Sequence, residues 1–142
     1  MKNSREILSS VLKTTQMGQI GIRSVLDTSM RPALRKALES QLHEYDSIET
    51  EAHSIATQRG WELEELDPGV RMMADMMTRM KLHGRNTDSK IAGMMIQGNT
   101  KGMIKGLKNL HQFVDQDAQV QIVSQKLLDC ETANIRQMQG YL

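Results

Sequence analysis

Between Ile91 and Leu110, Gly98, Gly102 and Gly106 recur every fourth residue inside an otherwise helical stretch. That spacing stacks them on one helix face. A helix-interior glycine costs roughly 1 kcal/mol relative to alanine, so three of them require a compensating gain. A neighbouring helix lying backbone-close along the seam would supply it. The pattern therefore describes a tightly packed helical bundle, and it names no chemistry.

At 142 residues the expectation is one domain with one core, large enough to bury about two-thirds of its unfolded surface. Lys and Arg number 18 against 17 Asp and Glu, a net charge of +1, so no global field is available to hold nucleic acid or an anionic membrane. The aromatic residues are Tyr45, Trp61, Phe113 and Tyr141, too few for a base-stacking platform. Methionine is used 12 times, which predicts an aliphatic, Met-filled core. Cys130 is the single cysteine and cannot form an internal disulfide, and the N-terminal residues lack the apolar stretch of a signal peptide. A cytoplasmic location is expected. The longest apolar window, Ile91 to Leu107, is interrupted by Lys101 and Lys105, so no membrane span is expected.

Start and stop signals divide the chain into five helices. Ser4 is placed to cap a first helix in which Leu8, Val11, Thr15, Gly18, Ile22 and Val25 repeat at helical spacing, ending near Leu26. Pro32 suits the first turn of a second helix, whose stripe Leu34, Leu38, Gln41, Tyr45, Ile48, Ala52, Ile55 runs to Gly60. Asp67 and Pro68 open a third, shorter helix that stops at Gly84, followed by a loop from Gly84 to Thr87. Thr87 or Asp88 caps the glycine-seam helix, which frays near Phe113, and a last helix runs from about Asp117 to Gly140. Strand-like alternation is absent. Four of the helices have roughly 24 to 28 residues, about 36 to 42 Å, and match as bundle members. The third is too short to match; with its flanks it can return the chain from one end of the bundle to the other. The expected order is up, down, a long return, down, up.

The segments DSKIAGMMIQGNTKGMIKGLKNL and LLDCETANIRQMQGYL resemble the paired C-terminal helices of small bacterial ferritin-like four-helix-bundle proteins of unknown function that lack the di-iron ligand set. A looser likeness extends over the first two helices. The resemblance implies an all-α, ferritin-like four-helix bundle with a short Met-rich crossover helix between the second and third long helices. It implies no activity, and the iron chemistry of true ferritins is not carried over.

The ligand inventory agrees with that restriction. A di-iron carboxylate site takes a Glu from each of two helices and a Glu-x-x-His from each of two others. No Glu-x-x-His is present; Glu131, central on the last helix, is followed at that spacing by Asn134. The other inward positions, Thr15, Gln19, Gln41, Tyr45 and Asn99, are neutral. One carboxylate cannot hold a di-metal site, so Glu131 is expected to be buried and hydrogen-bonded by these neutral groups. The competing reading is a remodelled metal centre. Asp46, Glu49 and His53 have metal-compatible spacing but fall on a flanking, solvated side of the second helix. His43 and His111 sit away from the apolar stripes without a neighbouring nucleophile, and Lys101, Lys105 and Lys108 form a basic stripe placed opposite the glycine seam. Cys130 is expected to be a buried, inert thiol.

Met72, Met73, Met76, Met77 and Met80 share one face of the third helix with His83. Core filler is the first expectation for that face, an adaptable partner-binding surface the second and a thioether Cu(I) site the third. Taken together, the residues predict a non-enzymatic bundle with no cofactor, no metal and no identified small molecule. It would act by protein interaction or self-association, through the Met-rich helix, or as a structural component. The alternative is a ferritin-like metal-binding or redox protein with an atypical site.

Overall fold

A computed structural model describes residues 2–81, 88–114 and 117–142, with Met80 and Lys81 described in backbone only. These residues form five helices and no strand: α1 (Ser4–Leu26), α2 (Pro32–Arg59), α3 (Pro68–Lys81), α4 (Asp88–Gln112) and α5 (Ala118–Gln139). His83 and the expected Gly84–Thr87 loop lie outside the described residues.

The helix ends follow local chemistry. Asn3, not Ser4, caps α1: its extended backbone places the side-chain oxygen 2.9 Å from the Glu6 N–H, while Ser4 is already inside the helix. The sequence assignment of the cap was therefore one residue late. At the end of α2, Gly60 takes a left-handed φ of 68°, and the Gly60 and Trp61 amides donate back to the carbonyls of Thr57 and Ala56. These paired bonds satisfy carbonyls that the helix end leaves open, in a conformation a side chain would strain. Asp117 caps α5 through the amides of Gln119 and Val120.

Contacts between the ends fix the direction of every helix. Lys2 at the start of α1 bridges Phe113 just beyond α4, and Asn109 donates to Ser10, so α1 and α4 are antiparallel. Arg31 pairs with Asp88, which joins the start of α2 to the start of α4. Arg59 pairs with Asp117 and Gln41 with Gln137, which makes α2 and α5 antiparallel. The four long helices thus run up, down, down, up. Between α2 and α4 the chain travels beside α1 in the same direction: Glu64 meets Ser9 and Lys13, Leu66 meets Gln16, Asp75 meets Ser24 and Arg79 meets Asp27. The core between the long helices is aliphatic, with Leu8, Leu12, Val25, Leu34, Leu38, Ala52, Ile91, Val120 and Val123 fully buried. Each large side chain removed from water in this way contributes about 1.5 to 3 kcal/mol.

The structure departs from the sequence expectations at the methionine face, the glycine seam and the lysine stripe. The methionine face of α3 is not core filler: Met72 is 70% and Met76 is 56% exposed, with Met73 and Met77 also exposed. The reason is that α3 turns its Ala74, Asp75 and Thr78 side inward and is held there by the Ser24–Asp75 hydrogen bond, leaving the methionines outward. The glycine seam is not a backbone-to-backbone contact. A Cβ at Gly102 would meet the Glu131 carboxyl, one at Gly106 the Leu128 side chain, and one at Gly98 nothing within 4 Å. Nor are Lys101 and Lys105 opposite the seam; they line one cavity together with Gly98 and Gly102.

Glycines on α1 show the same division of labour. A Cβ at Gly18 would fall 2.6 Å from Tyr45 Cζ, whereas at Gly21, one turn on, it would meet nothing within 4 Å. Both substitutions gain roughly 1 kcal/mol of helix propensity. Gly21→Ala is accordingly expected to raise the melting temperature. Gly18→Ala is expected to lower it, by overpacking worth about 1 to 3 kcal/mol against a buried ring that cannot move aside. Thermal unfolding of the two variants checks this, and equal shifts would show that the clearance at Gly18 is immaterial.

Candidate functional site

The functional geometry begins at Glu131, the middle of α5, which is 2% exposed. A buried carboxyl without partners is costly to desolvate, and two neutral side chains from two other helices answer that need. Tyr45 of α2 donates its hydroxyl to Glu131 Oε1 at 2.8 Å, and Asn99 of α4 donates its Nδ2 to Glu131 Oε2 at 3.0 Å. The same Asn99 nitrogen donates to the Tyr45 oxygen at 3.0 Å, closing a ring of three side chains. Gly18 and Gly102 are what give the ring room, since a Cβ at either would collide with Tyr45 or Glu131.

Opposing effects act on the carboxyl. Burial disfavours the anion, while the hydrogen bonds from Asn99 and Tyr45 favour it; burial is the larger, and the pKa rises from 4.5 to about 7. The Tyr45 phenol is pushed well above its usual value, first by burial and then by Glu131, so it remains a donor. Neighbouring Cys130 is driven up as well, by burial and then by its hydrogen bond to Glu44, which keeps it a thiol. A thiol so held is no nucleophile.

Above the ring lies a cavity of about 480 Å³ between α1, α3 and α4. Glu131, Tyr45 and Asn99 form part of its wall, Ile22 and Met94 part of its apolar lining, and Gly98, Lys101 and Lys105 stand on its exposed side. The cavity is open because Gly21 and Gly98 carry no side chains to fill it. Among the described lining residues there is one carboxyl, Glu131, against three lysines, Lys13, Lys101 and Lys105, and no His or Cys. Among the described lining residues, Glu131 is thus the carboxyl placed to take or give a proton near neutrality.

The other sequence candidates disperse. Thr15 is buried but donates to the Val11 carbonyl of its own helix, and Gln41 pairs with Gln137. Gln19 turns to Asp46 and Glu49 on the flank of α2, where Gln16 also reaches Glu49 and Glu65, and His53 lies 3.7 Å from Glu65. Asn134 is buried and donates to Cys130 Sγ. His43 and His111 are exposed. Among the described residues, no three His, Cys, Asp or Glu side chains converge as metal ligands. Of the inward neutral groups, then, Tyr45 and Asn99 hold Glu131, and Thr15, Gln19 and Gln41 do not. Sequence reading placed Gly18 on the apolar stripe of the first helix without giving it a role and passed over Gly21 and Lys13; the available signal was a second close pair of helix-interior glycines, on α1.

Compared with family models, curated proteins and solved structures, the chain matches none of them. No described helix is long and apolar enough to cross a membrane.

The Glu131 carboxyl holds its proton more tightly in the folded protein than in the unfolded chain. Its contribution to stability is fully present below about pH 4.5 and is lost as pH rises through about 7. The gap corresponds to on the order of 3 kcal/mol. Relative to Glu131→Gln, which keeps the shape and cannot ionise, the parent protein is expected to lose about 2 to 3 kcal/mol between roughly pH 5 and pH 8. Urea unfolding across that range measures it, and parallel curves for the two proteins would contradict the raised pKa.

Proposed function

We propose that this chain is a non-enzymatic bundle of the ferritin-like type, without a di-iron site, that works by protein interaction through the methionine face of α3. The observation that carries the reading is that face: Met72, Met73, Met76 and Met77 are all exposed on a helix whose opposite side is fastened to α1. Large exposed apolar side chains gathered on one face mark interaction surfaces more often than isolated ones do. Methionine is unbranched and polarizable, so such a face repacks against varied apolar partners, a second copy of itself included. The ferritin-like assignment draws support from the up, down, down, up order of the long helices, with the returning segment laid along α1. A cytoplasmic location agrees with a lone cysteine kept as a buried thiol.

The experiment pairs two double variants, Met72→Ser with Met76→Ser, and Met72→Leu with Met76→Leu. At a concentration low enough for light scattering to give the mass of a single chain, both are expected to melt with the parent, because neither residue is core. As concentration rises, the parent and the leucine variant are expected to self-associate by light scattering, and the serine variant to remain monomeric. A serine variant several degrees less stable than the leucine variant as a monomer would show a packed face and overturn the proposal. So would a parent whose mass never changes with concentration.

A further inference from the structure

We infer that the methionine face of α3 is a site of reversible oxidation by peroxides, and that turning its thioethers into sulfoxides ends the self-association of the chain. The loss of association rests on the reading of that face as a contact surface; the selectivity of the oxidation rests on exposure alone.

Exposure and position direct the oxidant. Met72, Met73, Met76 and Met77 are each more than half exposed, and their spacing of three and four residues gathers them on one side of α3. Met138 on α5 is fully buried, and Met30, Met94, Met95 and Met103 are partly buried. Met17 is exposed too, but it stands on α1, off this face. The competing sulfur is disarmed. A thiolate is the form of cysteine that attacks peroxide, and Cys130 is a buried thiol whose Sγ donates to Glu44 Oε2 at 3.3 Å.

The chemistry needs nothing further from the protein. A lone pair on the methionine Sδ attacks one peroxide oxygen, the S–O bond forms as the O–O bond breaks, and with hydrogen peroxide the second oxygen leaves as water. Sulfur loses two electrons and the peroxide gains two. The product is polar and chiral, and its new oxygen is a hydrogen-bond acceptor. Pressed against an apolar face, that oxygen would lose its water without gaining a donor. The fold is spared, because α3 is fastened to α1 through Asp75 and Arg79 rather than through the methionines. Reversal takes two electrons from a dithiol outside the chain, since a single buried cysteine cannot supply them, and the exposed face is open to a sulfoxide reductase.

The experiment treats the whole protein with hydrogen peroxide and follows it by peptide mass and by light scattering. Tryptic peptide 72–79 carries all four face methionines and no other, and peptide 137–142 carries Met138 alone. Sulfoxide is expected in the first while the second stays reduced. The oxidised chain is expected to melt with the parent at low concentration, and to scatter as a single chain at a concentration where the untreated parent associates. Methionine sulfoxide reductases of both stereospecificities, supplied with dithiothreitol, are expected to restore association. The combined Met72→Leu, Met73→Leu, Met76→Leu, Met77→Leu variant is expected to associate and to keep associating after peroxide. The inference is overturned if Met138 oxidises as fast as the face, if the oxidised monomer melts several degrees below the parent, if oxidised parent associates like untreated parent, if the reductases restore nothing, or if peroxide dissociates the leucine variant. An untreated parent that stays a single chain at every concentration instead overturns the reading of the face, and the loss of association with it.

Discussion

Everything central in this bundle is arranged around one buried carboxyl that, among the described residues, is held by neutral side chains rather than by a charged partner. Glu131 on α5 is held by Tyr45 of α2 and Asn99 of α4, so three of the four long helices are tied at one level by three side chains. The arrangement works only because α1 and α4 withdraw their side chains at Gly18 and Gly102. A hydrogen-bonded ring of this kind specifies register, since sliding any helix by one residue would orphan a buried polar atom. It also leaves the carboxyl balanced near neutrality, because burial opposes the two hydrogen bonds and exceeds them.

The glycines serve two different ends. Gly18 and Gly102 make clearance for the ring, whereas Gly21 and Gly98 face open space and leave a cavity beside it. A bundle selected for packing alone would fill that space, for an alanine at either open position gains helix propensity and meets no neighbour. The cavity and the exposed methionine face are separate features on separate sides of the molecule's construction. One is lined by α1 and α4 above Glu131; the other is the outer face of α3.

Much of this architecture was legible in the chain, and the misreadings have physical reasons. Pro32, Gly60, Pro68 and Asp117 punctuate the helices where the structure begins or ends them, because each acts through its own backbone geometry or a local hydrogen bond. The burial of Glu131 among neutral partners followed from its central place on an apolar stripe with no carboxylate opposite. Which of five inward groups would reach it did not follow, since Thr15 and Gln19 differ from Tyr45 and Asn99 only in what lies across the bundle. The methionine face was misread for a similar reason. Periodicity identifies a face but not its direction, and here Asp75, through Ser24, decides which side of α3 turns inward. The glycine seam was read as a place for a backbone when it holds a carboxyl, a distinction that four-residue spacing cannot carry.

The most direct test of the central claim is the titration of the Glu131 side chain itself. In carbon-13-labelled protein the carboxyl resonance, assigned by its loss in Glu131→Gln, should shift with a midpoint near pH 7, reporting the acid that burial stabilises between Tyr45 and Asn99. A midpoint at the ordinary glutamate value near 4.5 would mean that the carboxyl is solvated or compensated by charge, and the account of a buried, proton-holding centre would fail.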